Sequence, residues 1–153
     1  MKKVFLILSL CFFSVTLLAQ SKAVRIKEFN LENKVAVQGY DVITYFTQSK
    51  AVLGKKEIAA VYDGVIYYFA NQADKEQFLK SPASYEPQYG GWCAYAMGAK
   101  GEKVTINPET FKIIDGKLNL FYNAFFNNTL KSWNKDQANL KKSADNNWKN
   151  FIN

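Results

Sequence analysis

The sequence contains no histidine. That removes the commonest general base and the commonest metal ligand, and with them any Cys–His or Ser–His–Asp arrangement. Cysteine is nearly as scarce, with Cys11 and Cys93 the only two. Cys11 falls inside an apolar N-terminal run, so one thiol is expected in the rest of the chain and no internal disulfide. A tetrahedral all-thiolate metal site needs four sulfurs and is excluded within a single chain. No glycine-rich phosphate loop occurs, because Gly90-Gly91 lacks both the strand–loop–helix setting and the basic partner. Zinc hydrolase signatures, internal repeats and low-complexity tracts are missing as well. Basic residues are scattered. Lys55-Lys56 and Lys141-Lys142 are the densest points, too sparse for a nucleic-acid footprint.

What the sequence does have is aromatic mass. Its 153 residues suit one domain, and 12 Phe, 9 Tyr and 3 Trp supply a core that needs no disulfide staples. Met1-Lys2-Lys3, the apolar run Val4 to Ala19 and the small Ala19 before Gln20 read as a secretory signal over residues 1–19. The run falls short of the ~20 residues that span a bilayer, so no stable membrane span is expected once it is removed. A retained membrane anchor is the rival reading. The chain is thus expected to be exported, to periplasm or cell exterior. Removal of 1–19 lowers the net charge from +7 to +5, since Lys2 and Lys3 leave and no acidic residue does. Such a charge serves solubility.

Residues 20–32 read as a loose polar leader and 33–153 as one domain. Asp41 is placed to cap a short helix over Val42 to Phe46. Two β-rich runs, Glu57 to Tyr62 and Val65 to Phe69, flank Asp63-Gly64, the residue pair that best suits a tight hairpin turn. Asn71 caps a helix over Gln72 to Lys80, with Phe78 and Leu79 inward, and Pro82 stops it. Trp92 to Met97 reads as a short helix starting at the glycine pair. Phe111 to Ile114 and Leu118 to Tyr122 flank Asp115-Gly116 as a second hairpin. From Ala124 to Ile152 the chain reads as helical: Phe125, Phe126, Leu130 and Trp133 fall on one side of a first helix, and Leu140, Ala144 and Trp148 on one side of a second. The fold class is α+β, two hairpins and short helices with the C-terminal helices packed across them.

The order of these pieces resembles the YHS domain family. The carriers are Asp41-Val42-Ile43-Thr44-Tyr45-Phe46, the hairpin ending Tyr67-Tyr68-Phe69, then Phe78, and Pro82-Ala83-Ser84-Tyr85 as the Pro-x-x-Tyr element. The chain is most similar to an exported subgroup with a Gly-Tyr-Asp opening, here Gly39-Tyr40-Asp41, and a Tyr-Gly-Gly-aromatic-Cys-Ala stretch, here Tyr89 to Ala94. The likeness spans about Asn33 to Tyr122. It implies a small YHS-like unit. Metal-handling relatives place cysteines near the opening aspartate and at the end of the second hairpin strand. Here Asp41 to Phe46 holds no cysteine and Ala70 follows Phe69.

Cys93 and Met97 remain. Four residues apart on a helix, thiolate and thioether would share a face ~6 Å apart. Two soft sulfurs suit Cu(I) better than Zn or Mg, making copper the cofactor those atoms would take. Tyr40, Asp41 and Tyr89 could complete a metal shell if the Gly-Tyr-Asp turn comes close. The plainer alternative makes Cys93 a small buried hydrophobe, Met97 a gap-filler and Asp41 a cap. The expected function is an exported small binding module, with a soft metal ion at Cys93. The alternatives are a thiol-dependent redox protein and a structural or partner-binding domain. No catalytic residue is assigned. A fully buried Cys93 beside an exposed aromatic patch would favour the partner-binding domain.

Overall fold

A computed structural model describes residues 22–152, so the signal expected over 1–19 lies outside the described residues. Residues 22–28 form a helix, α1, where the polar composition suggests a loose leader. Tertiary contacts override that composition. The Arg25 guanidinium donates to Glu86 and stacks 4.6 Å from the centre of the Phe29 ring, which packs 6.0 Å from Trp148. Strands β1 (Leu31–Glu32) and β2 (Val35–Ala36) pair antiparallel around Asn33-Lys34. A 3-10 turn over Val37–Gly39 leads to Asp41, whose Oδ1 accepts from the Ile43 amide at 2.8 Å. Helix α2 follows at Thr44–Thr47.

Strands β3 (Lys55–Tyr62) and β4 (Val65–Phe69) form the hairpin that Asp63-Gly64 calls for, both turn residues holding positive φ (44° and 85°). The sheet order is β1-β2-β4-β3, with β2 parallel to β4 through the Val35–Ile66 pair. Period-two alternation buries Val65, Tyr67 and Phe69 and turns Tyr68 away toward a cleft beside Gly39.

Helix α3 (Gln72–Lys80) starts where Asn71 Oδ1 accepts from the Asp74 amide at 2.9 Å. Phe78 is fully buried, 4.7 Å from Tyr67 and 5.2 Å from Phe69 between ring centres; burying such a ring stabilises the fold by ~1.5–3 kcal/mol. Leu79 departs from the expected inward position and is 51% exposed, because only one stripe of this short helix meets the sheet. Helix α4 (Pro82–Tyr85) follows directly on Ser81.

The glycine pair does not open a helix. Tyr89, Gly90 and Gly91 all take positive φ (55°, 59° and 85°), and helix α5 begins only at Ala94, running to Lys100. Glycine is required at position 90 twice over, since a Cβ there would also lie 2.7 Å from the Phe29 ring and 2.9 Å from Trp148.

Strands β5 (Asn107–Ile114) and β6 (Lys117–Phe121) form the second hairpin around Asp115-Gly116. The next segment departs from the helical expectation. Strands β7 (Asn123–Ala124) and β8 (Asn127–Asn128) close a further tight hairpin with Phe125-Phe126 at its tip. Helix α6 (Thr129–Trp133) then buries Trp133 completely, and α7 (Gln137–Ile152) packs on α5. Gly98 permits that approach: a Cβ on it would stand 2.5 Å from the Leu140 carbonyl oxygen. Among the described residues no helix is long and apolar enough to cross a membrane.

Candidate functional site

Cys93 sits at the junction of three segments. Its amide donates to the Val104 carbonyl at 2.9 Å, and its own carbonyl accepts from Met97 at 3.0 Å, so it stands just before α5 and not within its first turn. The sulfur accepts from the Tyr122 amide at 3.3 Å and lies 3.4 Å from the Thr129 hydroxyl. That hydroxyl in turn donates to the Tyr122 carbonyl at 2.9 Å. Its single proton is thereby used, so the thiol proton goes to the Thr129 oxygen. The side chain has no water-exposed surface.

Of the other four ligand candidates, Met97, Asp41 and Tyr89 are engaged elsewhere. Met97 is fully buried in a second apolar cluster with Phe121, Trp133 and Ala144, whereas Cys93 belongs to the first, with Tyr67, Phe69 and Leu120. Asp41 is buried, with Oδ1 on the Ile43 amide and Oδ2 on the Ala70 amide, both at 2.8 Å. Burial pushes its carboxyl up to about 6 against the pull of those two amides, and Asp74 adds to the rise. The Tyr89 hydroxyl donates to Asp145 Oδ1 at 2.9 Å, and burial together with that carboxylate raises its pKa. Tyr40 is half-buried against the first cluster. No hydrogen bond links any two of these five side chains. Among the described residues no group of three or more Cys, Asp or Glu side chains is placed to hold a metal ion. Cys93 and Met97 would share a helix face only if the helix already ran at Cys93. The left-handed Tyr89–Gly91 turn delays it.

Beside Cys93 lies a cavity of about 280 Å³. Tyr95, Ala96, Val104 and Tyr122 give it apolar walls, and Asn127 and Thr129 close one side. Lys100 and Glu102 stand exposed at its edge. Cys93 belongs to the wall, but water does not reach it. The hairpin β7–β8 rises from the side formed by Asn127 and Thr129. Its tip carries the most exposed apolar side chains among the described residues, Phe125 at 91% and Phe126 at 112%.

The backbone of that tip is unusual for its residues. Phe125 and Phe126 have φ of 50° and 65°, the pattern of a type I′ turn, which favours Asn and Gly. The same geometry recurs at Asp63-Gly64 and Asp115-Gly116 with favourable residues. A bulky residue there costs roughly 1–2 kcal/mol. Helical spacing conceals this site in the sequence. The signal that could have found it is the bracket of Asn123, Asn127 and Asn128 around the aromatic pair, a cluster of turn formers.

A second cleft, also about 280 Å³, opens between Glu32, Gln38, Gly39, Lys56 and Tyr68. It borders the Gly-Tyr-Asp opening, where β-branched Val37 is held at a φ of 50°. No family model, no curated protein and no solved structure matches the chain.

Proposed function

We propose that this chain is an exported binding module of the YHS type, and that it recognises its partner with the Phe125-Phe126 tip and the apolar cavity at the tip's foot. The observation that carries this is the exposure of two adjacent phenylalanines, 91% and 112%, on a turn whose backbone disfavours them. Folding gains nothing from either feature. An Asn-Gly tip would remove the strain, and leaving large apolar surface in water forgoes ~1.5–3 kcal/mol for each ring that a partner would bury. Exposed apolar groups of this kind mark interaction sites. The order Gly39-Tyr40-Asp41, Tyr67-Tyr68-Phe69, Pro82 to Tyr85 and Tyr89 to Ala94 supports the YHS assignment, and residues 1–19 support export.

A soft metal ion such as copper does not fit the donor atoms. The Cys93 sulfur is sealed and doubly hydrogen-bonded, Met97 is in another cluster, and the oxygens of Asp41 and Tyr89 already have partners. A thiol redox protein would need the same sulfur to meet its substrate.

Site-specific photo-crosslinking tests the reading in cells that export the protein. A crosslinker at position 126 is expected to give a defined protein adduct, and one at exposed Lys56 is expected to give none. Absence of any protein adduct at 126 would remove the tip as a recognition element. Titration with Cu(I), with Cys93→Ser alongside, checks the metal reading. Tight binding lost in the variant would restore it.

A further inference from the structure

The tip and the cavity share one face, because Asn127 of the hairpin's descending strand and Thr129 at the start of α6, two residues on, both line the cavity. An isologous dimer needs this arrangement: a two-fold axis sets a patch against itself, so one patch must carry both the inserting group and its receptor. The two parts also match chemically. The walls offer the rings of Tyr95 and Tyr122 with small Ala96 between the apolar residues, a lining suited to an aromatic side chain. A chain cannot fill its own cavity, since the Ala124–Asn127 pair pins the turn outward and leaves both phenylalanines in water. The edge carries both signs, Lys100 and Glu102, which lets one copy's lysine face the other's glutamate. A face meant for anionic lipid would be basic throughout.

We propose that the partner is a second copy of this chain, each copy seating its Phe125-Phe126 tip in the other's cavity across a two-fold axis. This rests on the reading of the tip as the recognition element. Two tips and two small cavities make an interface at the low end of the stable range, so dissociation in the micromolar range is expected.

Sedimentation equilibrium of the purified protein tests this. The mass is expected to rise toward twice the chain mass with concentration. Two variants leave the fold intact: Phe125→Asn with Phe126→Gly, which suits the turn, and Ala99→Trp, which occludes the cavity from an exposed position. Each is expected to raise the dissociation constant at least about 100-fold, equivalent to two rings' worth of lost burial at ~1.5 kcal/mol each. A mixture of the two restores one tip-in-cavity contact and is expected to yield mixed dimers that neither forms alone. A monomer at every concentration overturns the proposal. So does a dimer indifferent to the tip variant, or one that Ala99→Trp leaves unchanged. Tip-dependent binding to phosphatidylglycerol vesicles by a monomeric protein would assign the tip to lipid and overturn it too. A crosslinked adduct of position 126 with a different protein would sink the second copy while leaving the recognition reading standing.

Discussion

The Tyr122 amide points at the Cys93 sulfur at 3.3 Å, tying the start of α5 to the end of β6. With Thr129 bonded to both residues, the thiol is a structural node joining three segments. Native protein is therefore expected to resist a thiol reagent, reacting at a rate set by unfolding and at full speed only in denaturant. Cys93→Ala is expected to lose roughly 1–3 kcal/mol, because it leaves the Tyr122 amide unpaired inside the core. Stopped-flow labelling and urea melts measure the two. Fast labelling of the folded protein would show that the cavity admits reagents to the sulfur.

Asp41 gives a pH signature. Its carboxyl, pushed up to about 6 chiefly by burial, holds its proton more tightly folded than unfolded. The stability it contributes is present below the unfolded value of ~3.9 and is lost as pH rises through about 6. Comparison with Asp41→Asn isolates the group, and wild type's advantage over the variant is expected to shrink from pH 4 to pH 7. An advantage that grows over that range would mean that the Ile43 and Ala70 amides outweigh burial.

Arg25 holds α1 to the rest of the molecule. Its ion pair with Glu86, which also accepts from the Tyr67 hydroxyl, is 14% exposed on both sides. Arg25→Met is expected to cost roughly 3 kcal/mol, since a largely buried carboxylate loses its counter-charge. Hydrogen exchange over residues 22–30 is expected to quicken more than elsewhere. Uniform quickening would show that α1 is not separately anchored.

The aromatic tip sets stability against recognition. Replacing Phe125-Phe126 by Asn-Gly is expected to raise stability by roughly 2–4 kcal/mol, about 1–2 for each of two strained positions. The melting temperature of the variant, measured at a concentration where wild type is monomeric, checks this. A drop would mean that the phenylalanines contribute contacts within the fold.

Local chemistry was legible wherever one residue type answers one geometric need. Asp63-Gly64 and Asp115-Gly116 mark their hairpins, and Asn71 marks the start of α3, because their side chains or missing side chains solve a local problem. The α+β class followed from those pieces. The rest depended on distant partners. Residues 22–28 look like a leader until Glu86 and Trp148 are in place. Phe125, Phe126, Leu130 and Trp133 fit a helical stripe, yet only Leu130 and Trp133 pack inward. The ligand set at Cys93 leaned on spacing alone, and spacing fixes neighbours along a helix, not where that helix begins.

The parallel contact between β2 and β4 carries a consequence for how the chain comes together. The three tight hairpins that follow it can each zip from their own turns, whereas β2 must wait for a ladder already built by β3 and β4. The amino-terminal stretch is thus expected to be a late guest in assembly, so that anything holding that end back would delay only the final step.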